Sequence, residues 1–341
     1  MHDALCAFAL SRRWRTVLTI LSATFFVTGC ATARAPNALD PRSPEATNIA
    51  ELWWVMFILG TGIFLLVTFL LLYTLFIRNH KKAQGDIQSQ KGGRWIVYGG
   101  LVLPTIILAV VFVFTLRSMQ VLALEDEPPL IIEVVGKMWW WEVRYPDHNI
   151  ITANEIHIPV NHRVELRLTS ADVIHSFWVP QLHGKLDMVP GQTNVLQIQA
   201  NRERTYRGMC SEFCGLQHAR MQFLVVAQSE NDFNQWVLQQ QQPASTQLSE
   251  SAQRGREVFF EVGCSTCHAI SGTEAVSAFG PNLTHLANRQ TLGAAILPNN
   301  RGNLGGWITN AQALKPGSLM PPMDIPAADV EPLLDYLQSL E

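Results

Sequence analysis

The sequence predicts a multi-domain membrane protein with a two-helix transmembrane hairpin, an all-β sandwich and an all-α carboxyl-terminal domain. Two long apolar runs lie in the first third of the chain, alternating apolar and polar residues mark the middle, and helical spacing of apolar residues returns near the end. The 341 residues are enough for two or three domains. With 48% hydrophobic and 16% charged residues the composition suits a membrane-anchored chain, and the net charge of −3 gives nucleic-acid binding no electrostatic support.

The amino terminus has the layout of a secretory signal peptide, which we predict over residues 1–29. Arginines cluster between positions 12 and 15, an apolar stretch follows over 17–27, and small residues then lead to Cys30. This ending, Val-Thr-Gly-Cys, resembles a bacterial lipoprotein signal, in which the cysteine becomes lipidated. An uncleaved anchor or an unmodified Cys30 is the alternative.

Two apolar runs, over 52–77 and 95–117, are each long enough to cross a bilayer as a helix. Basic residues concentrate in the loop between them, 78–94, whereas acidic residues flank the outer ends of the runs. The positive-inside rule therefore places this loop in the cytoplasm and everything after residue 118 on the opposite side of the membrane.

Residues 125–228 are predicted to form an antiparallel β sandwich or barrel. Ile131 to Val135 is a β-branched run, and both 164–168 and 195–199 alternate apolar and polar residues. Prolines and a Pro-Gly pair separate these runs, as they do between strands.

A cluster of soft metal ligands lies between two of the strand-like stretches, so we expect it in a loop at one end of the sandwich. It contains Cys210, Cys214, His218 and Met221. Thiolate, imidazole and thioether together favour copper, and two thiolates are enough to bridge two copper ions. Zinc, held by two cysteines and two histidines, is the alternative, but the thioether argues against it.

A further imidazole for this cluster has to come from a distant strand end. His175 is the best-placed candidate. The rivals that the pattern leaves open are His157, His162 and His183.

The last part of the chain is predicted to be a linker over 229–249 and a helical domain over 250–341. The linker contains a glutamine run followed by Pro, Ala, Ser and Thr, which indicates flexibility. Helices are predicted over 254–262 and 327–340, with turns rich in Gly, Asn and Pro between them.

Within this domain, Cys264-Ser-Thr-Cys267-His268 is the attachment pattern of a c-type haem. The two thiols bind the porphyrin covalently and the histidine ligates iron. Met320 is the favoured sixth ligand and Met323 is its rival. A thioredoxin-like redox pair is the alternative, but it requires a βαβ context that this region lacks.

Residues 210–221 read Cys-Ser-Glu-Phe-Cys-Gly-Leu-Gln-His-Ala-Arg-Met and resemble the binuclear copper (CuA) loop of cytochrome c oxidase subunit II. The run Gly-Lys-Met-Trp-Trp-Trp at 136–141 and the run His-Ser-Phe-Trp-Val-Pro at 175–180 also resemble segments of that family. The resemblance implies a cupredoxin-like sandwich. It implies that two copper ions are bound by His175, Cys210, Cys214, His218, Met221 and the carbonyl of Glu212.

The same resemblance implies two further roles. The carboxylate of Glu212 would face a magnesium site shared with subunit I, and Trp139 would receive electrons from the donor. The carboxyl-terminal segment is similar to class I cytochrome c, in which the carbonyl of the residue at Pro281 orients the proximal histidine. In that family Gly255 and Phe259 of the first helix pack against the last helix at Tyr336.

Taken together, the chain resembles subunit II of a caa-type haem–copper oxidase with a fused cytochrome c domain. The implied activity is transfer of electrons to subunit I, which reduces dioxygen to water and pumps protons. The implied partners are subunits I and III, and a cytochrome c or a quinol–cytochrome c reductase as donor, at a bacterial inner membrane. The alternatives are the electron-accepting subunit of a nitric oxide reductase and a membrane-tethered copper carrier without turnover.

Overall fold

A computed structural model describes residues 36–76, 92–122 and 130–341. The predicted signal peptide, Cys30 and most of the predicted loop 78–94 lie outside these residues. The helices are α1 (Pro44–Phe76), α2 (Gly92–Val97), α3 (Leu103–Val121), α4 (Glu230–Gln240), α5 (Glu250–Glu261), α6 (Arg301–Leu314) and α7 (Ala327–Gln338). The strands are β1 (Ile131–Lys137), β2 (Trp140–Tyr145), β3 (Ile150–Ala153), β4 (Glu155–Pro159), β5 (Val164–Ser170), β6 (His175–Trp178), β7 (Leu186–Met188), β8 (Asn194–Ile198), β9 (Arg204–Cys210), β10 (Gln222–Gln228), β11 (Thr291–Leu292) and β12 (Leu297–Pro298).

Two helices are long and apolar enough to cross a membrane, Pro44–Leu75 and Gly93–Gln120. Their large apolar side chains are exposed along almost the whole length, which is stable only in an apolar surrounding. The first helix begins before the predicted residue 52. Its start is set by Pro44 at the first helical position and by the Ser43 hydroxyl, which accepts a hydrogen bond from the Ala46 amide at 2.9 Å.

The second span contains a π-helical turn, Tyr98–Val102, between α2 and α3. Pro104 has no N–H to donate in the next turn, and the Leu103 amide instead bonds to the Tyr98 carbonyl. At the other end of the hairpin, Asn48 Nδ2 donates to Ser118 Oγ at 2.8 Å and to its carbonyl at 3.1 Å. This polar contact holds α1 against α3.

The middle of the chain is a sandwich of two five-stranded sheets, ordered β3-β2-β1-β5-β8 and β4-β10-β9-β6-β7. Most neighbours are antiparallel, as predicted, but β1 pairs with β5 and β4 with β10 in parallel. The core between the sheets contains the fully buried rings of Trp141, Tyr145, Phe177 and Phe223. Alternation along the strands therefore buries one face of each sheet. We call residues 130–228 the sandwich domain.

The predicted flexible linker differs from the structure, because helix α4 occupies much of it. Ser229 caps this helix by accepting a hydrogen bond from the Asp232 amide at 3.1 Å. Phe233 and Val237 are buried against the sandwich core, and Trp236 packs beside them. Helix α4, which extends into the glutamine run, is therefore amphipathic, and its apolar face packs against the sandwich.

The region after residue 249, which we call the C-terminal domain, is built on the crossing of α5 and α7. A Cβ atom at Gly255 would lie 1.9 Å from the Pro332 carbonyl, so only glycine allows this approach. The rings of Phe259 and Tyr336 meet nearby, with centroids 5.8 Å apart.

Helix α6 was not predicted, since its glycines suggested turns. It is capped by Asn300, whose side chain accepts a hydrogen bond from the Asn303 amide at 2.9 Å. Packing of Leu304, Ile308 and Ala311 into the core of the C-terminal domain offsets the poor helix propensity of the glycines.

Candidate functional site

The first site lies in the loop that joins β9 to β10 at one end of the sandwich. We call residues 210–221 the ligand loop. It begins at Cys210, the last residue of β9, and β6 pairs with this end of β9 through Phe177. His175, the first residue of β6, is thereby brought beside the loop.

Two sulfur atoms form the centre of this site. Cys210 Sγ lies 3.7 Å from Cys214 Sγ and 3.8 Å from His175 Nδ1. The ligand atoms of these three buried residues all lie within 4.8 Å of one another. This group is compact enough to hold a metal ion.

The other predicted ligands also lie close to the two sulfur atoms. Cys214 Sγ lies 3.7 Å from both His218 Nδ1 and the Met221 sulfur, which is fully buried. The carbonyl of Glu212 lies 3.2 Å from Cys210 Sγ, while its carboxylate points outward, 3.9 Å from Lys185 Nζ. Imidazole, thioether and carbonyl donors therefore surround the two sulfur atoms.

The two thiols do not ionise alike. The hydrogen bond from Cys214 lowers the pKa of Cys210, whereas the same contact and burial raise the pKa of Cys214. One proton is thus shared between two sulfurs, because two thiolates at this distance repel. A bound cation would offset that repulsion and allow both to ionise.

Asp172 orients His175, a contact that the sequence interpretation missed although the two residues are three apart. Asp172 Oδ1 lies 2.8 Å from His175 Nε2, so Nδ1 is the ring nitrogen that faces the sulfurs. Glycine at position 136 makes room for the ring, since a Cβ there would lie 2.7 Å from it. Such an outer contact fixes the orientation of a metal-binding histidine.

The three rival histidines are held elsewhere by other contacts. His157 stacks on Trp236 at 4.3 Å, His162 Nδ1 lies 2.9 Å from the Val160 carbonyl, and His183 Nδ1 lies 3.3 Å from that of residue 184. Among the residues that the structure describes, the compact ligand group includes His175 and none of these three.

The second site is a cavity of about 380 Å³ in the C-terminal domain, lined largely by apolar side chains. Cys264, Cys267 and His268 line it, and so do both Met320 and Met323. The two cysteines are free thiols. The predicted attachment and ligand residues therefore share one apolar cavity, which fits a porphyrin.

His268 is oriented by the segment that follows it. Its Nδ1 lies 2.7 Å from the Pro281 carbonyl, which leaves Nε2 as the ligand atom. A Cβ at Gly280 would lie 2.7 Å from the imidazole, so the chain can approach the ring only at a glycine. Burial lowers the pKa of His268 and favours the neutral form that ligates iron.

Trp139 lies between the two sites. Its ring lines the cavity of the C-terminal domain, and its Nε1 donates a hydrogen bond to the Cys214 carbonyl at 3.0 Å. Trp140 also lines this cavity, and its ring lies under Lys137 Nζ at 4.8 Å, whereas Trp141 is fully buried in the sandwich core. Of the three, Trp139 is the one that contacts the ligand loop by hydrogen bond.

Comparison with known proteins identifies two families along the chain. The family described as "Cytochrome C oxidase subunit II, periplasmic domain" matches residues 149–228, and the family "Cytochrome c" matches residues 252–341. The chain is 33% identical to a cytochrome c oxidase subunit 2 of Alkalihalophilus pseudofirmus, over 96% of this chain and 98% of that protein.

Two further relatives, a cytochrome c oxidase subunit and a quinol oxidase subunit, are less similar to this chain. A cytochrome c oxidase subunit 2 of Bacillus subtilis is 28% identical over 97% of this chain and 98% of its own length. A quinol oxidase subunit 2 of Bacillus spizizenii is 29% identical over 67% of this chain and 73% of its own length. The chain therefore belongs to the cytochrome c oxidase subunit 2 family, as a membrane-anchored member of a haem–copper oxidase complex that carries a cytochrome c domain at its carboxyl end.

Proposed function

We propose that this chain accepts electrons at a covalent haem c, relays them through a binuclear copper centre and passes them to subunit I. Subunit I then reduces dioxygen to water and pumps protons. The observation that carries the proposal is the convergence of two thiols, an imidazole and a thioether around one point, beside a second cavity with a haem attachment pattern.

The copper pair would be held by His175, Cys210, Cys214, His218, Met221 and the carbonyl of Glu212. This donor set is too rich in sulfur for a hard cation, and the buried thioether favours copper over zinc. Two thiols 3.7 Å apart can each contact two metal ions. When bound, such a pair exchanges one electron. The protein supplies fixed ligands around it, so that little has to move when the charge changes.

The haem would be held by thioether bonds to Cys264 and Cys267 and by the imidazole of His268. The Pro281 carbonyl keeps that imidazole in place. Met320 is the proposed sixth ligand, because its main chain is anchored by Gln312 Nε2, which donates to the Met320 carbonyl at 2.7 Å. Met323 also lines the cavity and is its rival.

The partners follow from family membership and the site. Subunit I receives the electrons, and we extend the assembly to subunit III and to a cytochrome c or a quinol–cytochrome c reductase as donor. The outward carboxylate of Glu212 is a candidate magnesium ligand at the boundary with subunit I. Both domains would face the outer side of a bacterial inner membrane, with Cys30 as a candidate for lipidation.

Metal analysis of the full chain in detergent tests the proposal. We expect two copper ions and one c-type haem per chain, with a mixed-valence copper signal in electron paramagnetic resonance. The variant Cys210→Ser should lose that signal and keep the haem absorption. Zinc at this site, or a single copper ion, would refute the proposal. Copper in a chain that contains no haem would indicate a copper carrier instead.

A further inference from the structure

The segment that leads to Met320 is docked on the ligand loop. Arg220 Nη1 donates to the Leu314 carbonyl at 2.9 Å, and Gln217 Nε2 donates to the Pro316 carbonyl. The proposed axial ligand of the haem is therefore only a few residues from direct contacts with the proposed copper site.

Lys315 lies in the middle of this docked segment and is only 3% exposed. Its Nζ donates to the carbonyl of Trp139 at 2.9 Å and to that of Gly293 at 3.0 Å. One acceptor belongs to the sandwich domain and the other to the C-terminal domain. The amine thus joins the main chains of both domains.

A buried lysine is costly, because its charged form loses hydration. Here burial lowers the pKa of Lys315 to about 7. The charged and the neutral amine can each donate two N–H bonds, so both carbonyls have a donor in either form. The contact therefore does not depend on the protonation state.

The acceptor in the sandwich domain is the residue that lies between the two sites. The side chain of Trp139 is held by the Cys214 carbonyl, and its ring packs over Gly215, where a Cβ would lie 3.2 Å from it. Lys315 holds the main chain of the same residue from the opposite domain. Side chain and main chain of Trp139 are thus fixed from two directions.

We infer that Lys315 is a positioning residue that fixes Trp139 between the haem cavity and the ligand loop, so that electrons cross a constant distance. The inference rests on the proposed function. With haem and copper bound, the step concerned would move one electron from the haem to the copper pair, and it would require no proton transfer and no bond to form or break.

A second contact between the domains provides a matched control. Glu155, also 3% exposed, accepts hydrogen bonds from the Gln290 amide at 3.1 Å and from the Thr291 amide and hydroxyl at 2.9 and 3.0 Å. It joins the same two domains without touching Trp139. Glu155→Ala therefore weakens docking, whereas Lys315→Met, of similar volume, weakens docking and also frees the main chain of Trp139.

The test is a flash-reduction experiment on the full chain with haem and copper bound. An external photoreductant reduces the haem, and the copper absorption reports arrival of the electron. We expect Lys315→Met to slow this transfer several-fold, because the rate of electron tunnelling falls steeply as the distance between the two centres grows. Haem and copper spectra should stay unchanged. Hydrogen exchange of the amides at 138–140 should rise in this variant and not in Glu155→Ala.

Two outcomes would overturn the inference alone. One is an unchanged transfer rate in Lys315→Met. The other is an equal slowing in Lys315→Met and Glu155→Ala at equal loss of docking, measured by exchange of amides 290–295, which would make Lys315 a docking residue only. A wild-type chain that binds no copper or no haem would instead overturn the proposed function, and this inference with it.

Discussion

The indole nitrogen of Trp139 and the main-chain carbonyl of Cys214 are joined by a hydrogen bond of 3.0 Å. The bond links a wall of the cavity in the C-terminal domain to the main chain of the ligand loop at Cys214. Because the acceptor is a main-chain atom, the contact does not compete with metal binding by the thiol. The two proposed cofactor sites are therefore connected through one side chain.

Replacing Trp139 by phenylalanine should interrupt this connection. The smaller ring keeps an aromatic group over Gly215 but loses the hydrogen bond to Cys214. We expect electron transfer from haem to copper to slow several-fold, with both spectra retained, as measured by flash reduction. Trp140→Phe is the control, because Trp140 lines the same cavity but packs under Lys137 and, among the described residues, makes no hydrogen bond to the ligand loop. Equal effects of the two variants would contradict this role of Trp139.

Removing the carboxylate of Asp172 should weaken copper binding. In Asp172→Ala the ring of His175 loses the partner that presents its Nδ1 to the sulfurs. We expect the affinity for copper to fall by about 10–100-fold, the usual effect of losing such an orienting contact. Competition with a chelator measures it. Asp187→Ala, at an exposed position of β7, is the matched control and should bind copper normally.

The sixth ligand of the haem can be assigned by a pair of variants. Met320→Ala should change the haem absorption and lower the reduction potential of the haem, since an axial thioether raises it. The copper signal should remain. Met323→Ala should leave both spectra as they are. If Met323→Ala alone alters the haem bands, the ligand is Met323.

The helix crossing of the C-terminal domain should not tolerate a methyl group at Gly255. In Gly255→Ala the added Cβ would meet the Pro332 carbonyl, and helices α5 and α7 would have to separate. We expect a loss of about 1–3 kcal/mol or more in the free energy of unfolding, measured by thermal unfolding monitored at the haem. Gly302→Ala in α6, where the nearest atom to the added Cβ is 3.6 Å away, should be neutral or slightly stabilising.

The stability of the sandwich domain should fall in mild acid because of His157. Burial lowers its pKa to about 4, whereas in the unfolded chain the pKa is near 6.5. The folded form therefore carries a neutral His157 ring. The contribution of this neutral ring to the free energy of unfolding is complete above pH 6.5 and is lost as the pH falls toward 4. The shift corresponds to about 3 kcal/mol.

Urea unfolding of the full chain in detergent at several pH values measures this loss. His157→Phe keeps a ring to stack on Trp236 but has no group that titrates. Its stability should therefore decline less between pH 6.5 and 4 than that of the wild type. Parallel declines in the two proteins would show that other groups govern the acid response.

The candidate ligands could be recognised from sequence, because most of them lie close together in the chain. The spacing of Cys210 and Cys214 is enough to indicate a metal site, and that of Cys264 and His268 is enough to indicate haem attachment. His175 required a choice among four histidines, and only the pairing of β6 with β9 shows that it lies beside the loop. Local patterns were therefore sufficient where a single loop supplies the donors.

Contacts between distant segments could not be predicted in this way. Lys315 and Trp139 are 176 positions apart, and no periodicity connects them. Helix α6 was missed because glycines lower its intrinsic propensity, and only packing in the folded domain stabilises it. Helix α4 was missed because its few apolar residues lie in a polar segment that leads into the glutamine run, although their spacing is helical.

Helix α4 has a consequence for how the haem domain meets its donor. A flexible tether would let that domain swing between a distant reductant and the copper site, like an arm. Here Phe233 and Val237 pack α4 against the sandwich core, and the segment between α4 and α5 is short. The two domains are therefore not joined by a long flexible tether. Under the proposed function, the donor would then have to reach the haem where this docked domain holds it.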